Sequence, residues 1–98
     1  MISRPLDILV VDDEASNRAI VADILRDQRH AVVVADSGRA ALVQLEGARF
    51  DLMLSDLRMP GMDGLELLRA AQAAQPDIAV ILMTAFGTIQ SAIEAMKH

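Results

Sequence analysis

The sequence predicts an α/β fold: a doubly wound parallel sheet with helices on both faces. Three observations predict it. Short apolar runs alternate with stretches of helical periodicity along the chain. The first of these runs, Ile8-Leu9-Val10-Val11, is continuous and rich in β-branched residues, as a strand buried on both faces requires. Their order, βαβαβαβα, implies parallel strands joined by right-handed crossovers.

Each element has its own signal. Ile8-Leu9-Val10-Val11 is the first strand. Residues 16–29 form the first helix, with Ile20, Val21, Ile24 and Leu25 as its apolar stripe. Residues 31–35 are the second strand. A helix follows near residues 37–46, carrying Ala41, Leu42 and Leu45, with Ser37 as N-cap and Gly47 as stop. Residues 50–55 are the third strand. Met59-Pro60-Gly61-Met62-Asp63-Gly64 is dense in turn chemistry, and Gly there supplies positive φ. Residues 65–75 form the third helix, which ends before Pro76. Residues 78–83 are the fourth strand. Residues 88–98 begin a fourth helix, with Thr88 as cap and Ile89, Ala92, Ile93 and Met96 as its stripe.

Ninety-eight residues make one domain, spanning 1–98. Hydrophobic residues are 53% of the chain and aromatics 2%, so the core is aliphatic. Too few rings are present for a base-stacking platform. With no Cys, disulfides, thiolate zinc sites and Cys catalysis are excluded. A net charge of −5 argues against direct nucleic-acid contact or an anionic membrane surface. The apolar runs are far shorter than the roughly 20 residues of a membrane span. Asp7 interrupts any signal-like stretch at the N-terminus. A cytoplasmic location is the expectation.

In doubly wound sheets, ligands bind at the carboxyl ends of the strands. The first strand ends in Asp12-Asp13-Glu14, the third in Ser55-Asp56, and the fourth in Thr84-Ala85. A lone Asp after a strand is commonly a helix cap or turn former. Three at the same end of two strands point to a site. If strands one and three are neighbours, Asp12, Asp13 and Asp56 converge and repel one another. A hard divalent cation such as Mg²⁺ offsets that repulsion with oxygen ligands and pairs with phosphate. An Asp beside such a metal can act as a nucleophile towards a phosphoryl donor. Thr84 can offer a hydroxyl to a phosphoryl oxygen.

Val10-Val11-Asp12-Asp13-Glu14, then Asp56-Leu57-Arg58-Met59-Pro60-Gly61-Met62-Asp63-Gly64, then Met83-Thr84-Ala85, resemble the receiver domain of bacterial two-component response regulators. The resemblance covers nearly the whole chain. It implies a flavodoxin-like receiver fold and a phosphoacceptor switch that controls an output such as transcription. Asp56 would take phosphate from a sensor histidine kinase. Asp13, Asp56 and the backbone carbonyl of Arg58 would ligate Mg²⁺ directly, and Asp12 would act through a metal-bound water. Thr84 would hydrogen-bond the phosphoryl group, and Ala85 would leave room for it. Arg58, two residues past the acceptor, stands where the family tunes dephosphorylation. The opening Thr84-Ala85-Phe86-Gly87 and the run Ala92-Ile93-Glu94-Ala95-Met96-Lys97 are similar to receivers fused to ATPase activators of the nitrogen-type sigma factor.

Measured against that family, the chain is expected to be truncated within the fourth helix, lacking the fifth strand and fifth helix. With them go the Lys that pairs with the phosphoryl group and the switch aromatic. Lys97 lies on the helix and is not that Lys. An open fourth strand then predicts self-association or swapping, and weaker phosphorylation.

Other features have plain readings. The methionines Met53, Met59, Met62, Met83 and Met96 suit core or loop packing. His30 and His98 are isolated, and Phe86 either packs or lines the site entrance. The alternative function is a receiver-like interaction or dimerisation module that is not phosphorylated efficiently. An Asp-nucleophile phosphohydrolase would carry a second Asp at the position held by Arg58. A nucleotide-binding sheet would carry a Gly-rich loop where Asp12-Asp13-Glu14 stands. Turnover of an external substrate is therefore not expected.

Overall fold

A computed structural model of the protein describes residues 4–83. The elements run β1 (Asp7–Val11), α1 (Ala15–Asp27), β2 (Ala31–Ala35), α2 (Gly38–Gly47), β3 (Leu52–Asp56), α3 (Gly64–Ala74) and β4 (Ala79–Met83). Every strand pairing is parallel, and the sheet order is β2-β1-β3-β4. The order reverses at β1, which lies between β2 and β3. The α/β doubly wound parallel sheet is therefore the fold, and strands one and three are neighbours. The expected fourth helix, Thr84 and Phe86 lie outside the described residues.

The two sheet faces are covered by different helices. Ile8, Val10 and Leu54 pack with Val21 and Leu25 of α1 on one face. Leu9, Val11 and Met53 pack with Ala41 and Leu45 of α2 and Leu67 and Ala71 of α3 on the other. β1 is buried along four of its five residues, which explains its unbroken apolar run. Met59 is buried in the second cluster, and Met62 and Met83 pack against the clusters, so these methionines are packing groups.

The stripe assigned to α1 needs correction. Val21 and Leu25 face the sheet, but Ile20 and Ile24 are each 58% exposed. Ala22, nearly fully buried, takes the inward place instead. Four apolar residues in two adjacent pairs span more of the helix circumference than one sheet contact covers.

The helix ends show how local sequence sets boundaries. Ser37 caps α2 by accepting the Ala40 amide at 3.1 Å, as expected. Gly47 is the last residue of α2 rather than its stop. Asp63 caps α3 in a capping box: its Oδ1 accepts the Glu66 amide at 2.9 Å, and the Glu66 side chain accepts the Asp63 amide. α1 ends two residues earlier than expected, at Asp27. There the Arg29 amide donates to the Arg26 carbonyl and the His30 amide to the Leu25 carbonyl, a Schellman arrangement with Arg29 at φ +69°.

Candidate functional site

The site grows from strand register. Val10 is level with Leu54 and Val11 with Ser55. The next residue on each strand is acidic, so Asp12 and Asp56 leave the sheet side by side. Asp13 follows at the turn into α1. One carboxylate oxygen from each of Asp12, Asp13 and Asp56 lies within 4.8 Å of the others. The cluster stands at the carboxyl end of the strands, at the point where strand order reverses.

The three acids differ in setting. Asp12 is buried, Asp56 half-buried and Asp13 exposed. Asp12 Oδ1 accepts the Glu14 amide at 2.9 Å. Burial pushes the Asp12 carboxyl above the usual carboxylate range. The Glu14 amide pulls it back down, while the charges of Asp56, Asp13 and Glu14 push it further up. Every donor in the cluster is a hard oxygen, and among the described residues no ion pair reaches the three carboxylates. This donor set fits a hard divalent cation.

The chain after Asp56 is held in three ways. The Arg58 amide donates to Asp56 Oδ1 at 3.3 Å, and the Leu57 amide to the Met83 carbonyl at 2.6 Å. The Gly64 amide donates to the Leu57 carbonyl at 2.9 Å, fastening the start of α3 to the site. Gly61 has φ +80°, as the turn reading expected, whereas Gly64 serves through its missing side chain. Met83 is level with Asp56 across β3 and β4.

Residues 8–98 match the description "Response regulator receiver domain". The chain belongs to the response regulator receiver domain family. A receiver is the phosphoacceptor signalling switch of two-component systems. This receiver is 45% identical over 92 residues to the transcriptional regulatory protein ZraR of Escherichia coli (strain K12), covering 94% of this chain and 21% of ZraR. The chain thus spans about one fifth of the length of that curated relative. Among solved structures, the receiver resembles the Vibrio cholerae chemotaxis protein CheY4 with a TM-score of 0.80 and 31% identity, covering 94% of this chain and 78% of that one. It also resembles the response regulator TrrA from Thermotoga maritima, solved in complex with Mg²⁺–BeF, with a TM-score of 0.76 and 34% identity, covering 81% and 69% of the two chains. No described helix is long and apolar enough to cross a membrane.

The receiver's sequence signals led to Asp12, Asp13 and Asp56, and the fold brings these three together. They did not lead to Arg18, whose Nη1 donates to the Asp12 carbonyl at 2.8 Å, nor to Gly64 as a close-approach residue. The Asp-x-x-Glu spacing of Asp63 and Glu66, ahead of an apolar run, was a readable sign of the α3 cap.

Proposed function

We propose that Asp56 is the phosphoacceptor and that Mg²⁺ is the metal of the acid cluster. The observation that carries this reading is the convergence of three carboxylates at one end of β1 and β3. Asp13 and Asp56 would ligate the ion through their side chains, Arg58 through its backbone carbonyl, and Asp12 through a water. Bound there, the cation supplies charge neutralisation for the acids and for an incoming phosphoryl group.

The acceptor chemistry follows from the residues. An Asp56 carboxylate oxygen forms a bond to phosphorus as the phosphorus–nitrogen bond of the donor's phosphohistidine breaks. The imidazole leaves with the electron pair and takes up a proton. Hydrolysis of the acyl phosphate by water returns Asp56 and inorganic phosphate. Thr84, next in sequence after Met83, is the group we assign to the phosphoryl oxygens. Arg58, exposed beside the acceptor, stabilises the acyl phosphate against water, so R58A shortens its lifetime.

The donor is a sensor histidine kinase, the chain works in the cytoplasm, and it is a signalling domain rather than an enzyme acting on an external substrate. The likeness to ZraR, a transcriptional regulatory protein, supports an output in transcription control. TrrA in complex with Mg²⁺–BeF supports the choice of metal.

The test uses acetyl phosphate as donor, with and without Mg²⁺, followed by intact mass measurement. One phosphoryl adduct, dependent on Mg²⁺ and lost in D56N, is expected. Mg²⁺-dependent amide shifts at Asp13 and Asp56 read the metal step separately. Metal-dependent shifts without any adduct would overturn the acceptor role and favour an interaction module.

A further inference from the structure

The exposed acid of the cluster is the one least held by its own side chain. Among the described residues, Asp12 Oδ1 accepts the Glu14 amide and Asp56 Oδ1 the Arg58 amide, while the Asp13 carboxylate accepts no hydrogen bond. The direction in which Asp13 points is therefore set by its backbone.

That backbone is fastened at one peptide. The Asp12 amide donates to the Ala35 carbonyl of β2 at 3.1 Å, which fixes the upstream side. The carbonyl of Asp12 belongs to the planar unit that also carries the Asp13 amide. The pairing of β1 with β2 and β3 ends at Val11, so that carbonyl lies just past the ladder. Arg18 takes it. Its guanidinium reaches back from the second turn of α1, and Nη1 donates to the Asp12 carbonyl at 2.8 Å. The side chain is half-buried, which holds it in this pose.

We propose that Arg18 is a positioning residue of the metal site. It locks the Asp12–Asp13 peptide so that the Asp13 carboxylate meets those of Asp12 and Asp56. The inference rests on the Mg²⁺ reading given above.

Arg18 has two effects on a cation, and they oppose. Its positive charge close to the cluster repels Mg²⁺, so removing the charge alone tightens binding. Its hydrogen bond orders the ligands, so removing that bond weakens binding. Groups that orient metal ligands typically govern affinity by about tenfold or more. The orienting effect dominates here, because the charge stays partly hydrated and screened.

The test is a Mg²⁺ titration of the 98-residue chain, followed by the amide resonances of Asp13 and Asp56. R18M is expected to weaken Mg²⁺ binding by about tenfold. R18K, which keeps a charged donor of similar reach, recovers most of the loss. R18M binding Mg²⁺ as well as or better than wild type overturns the proposal. A merely structural role would lower the melting temperature of R18M and leave its Mg²⁺ affinity unchanged. If R18M does not fold, the wild-type Arg18 guanidinium resonances decide: slowly exchanging Nη protons are expected, and a freely rotating guanidinium overturns the idea. Wild type that fails to bind Mg²⁺ sinks the metal reading itself, whereas wild type that binds while R18M matches it sinks only the role of Arg18.

Discussion

Gly64 lies so close to Asp56 that a Cβ on Gly64 would stand 2.6 Å from the Asp56 carbonyl oxygen. It would also stand 2.8 Å from Leu57 Cα. Both are backbone atoms, so neither can swing aside. The start of α3 is thus pressed directly onto the chain that carries Asp56, and the Gly64 amide bonds the Leu57 carbonyl across the contact.

G64A should therefore damage both stability and site. Forcing a methyl into a packed backbone contact costs about 1–3 kcal/mol. The shift it forces moves Asp56, so acetyl phosphate labelling and Mg²⁺ affinity should fall together. G47A is the control, because a Cβ at Gly47 meets nothing within 4 Å. It should change stability by less than about 1 kcal/mol, with a gain expected from lower unfolded-state entropy. Urea unfolding of both variants gives the comparison. Equal effects at the two glycines would show that close approach is not what Gly64 provides.

The carboxyl end of β1 carries an electrostatic cost that a bound cation would offset. Burial raises the Asp12 pKa above 3.8, its ordinary value, with the charges of Asp56, Asp13 and Glu14 adding to the rise. The folded state therefore holds the Asp12 proton more tightly than the unfolded chain does. Between 3.8 and the raised value, stability falls as pH increases, and above that window the ionised residue weakens the metal-free fold in full. D12N keeps an oxygen for the Glu14 amide and removes the charge. In chelator, D12N should be more stable than wild type at neutral pH, and the difference should shrink as pH drops through the window. Added Mg²⁺ should narrow or reverse the order at neutral pH, because the ion stabilises only the fold that binds it. Urea midpoints at neutral and acidic pH, with and without Mg²⁺, check this. D12N less stable than wild type at neutral pH in chelator would contradict it.

Much of the fold was legible because each strand carries a short apolar run and each helix shows a turn or cap nearby. The acid cluster was legible because register does the work: once β1 and β3 pair in parallel, Asp12 and Asp56 must emerge together. What stayed hidden depends on contacts distant in sequence or on backbone geometry. Gln75 ties three backbone groups: its Oε1 accepts the Phe50 amide, and its Nε2 donates to the carbonyls of Leu45 and Ala48. Nothing in the residues around Gln75 announces partners 25 to 30 positions away. His30 read as isolated, yet its Nδ1 accepts the Leu6 amide at 3.0 Å. The exposure of Ile20 and Ile24 likewise depends on which part of a broad apolar face meets the sheet.

The end of α1 offers a stability test far from the acids. Arg29 occupies the left-handed position of the Schellman turn at φ +69°, where a Cβ crowds the neighbouring carbonyl. Glycine is the usual occupant because it has no Cβ. Its greater freedom in the unfolded chain takes back part of the gain. The Arg29 side chain is exposed, so little packing is lost with it. R29G should therefore stabilise the fold by about 0.5–1 kcal/mol. R29V should destabilise it, because a β-branched residue tolerates positive φ poorly. Mg²⁺ affinity should be unchanged in both, since the turn is at the opposite end of α1 from Asp13. Urea unfolding with an unchanged slope would read the shift as stability alone. A loss of stability in R29G would mean that the Arg29 side chain contributes more to the turn than its backbone strain costs.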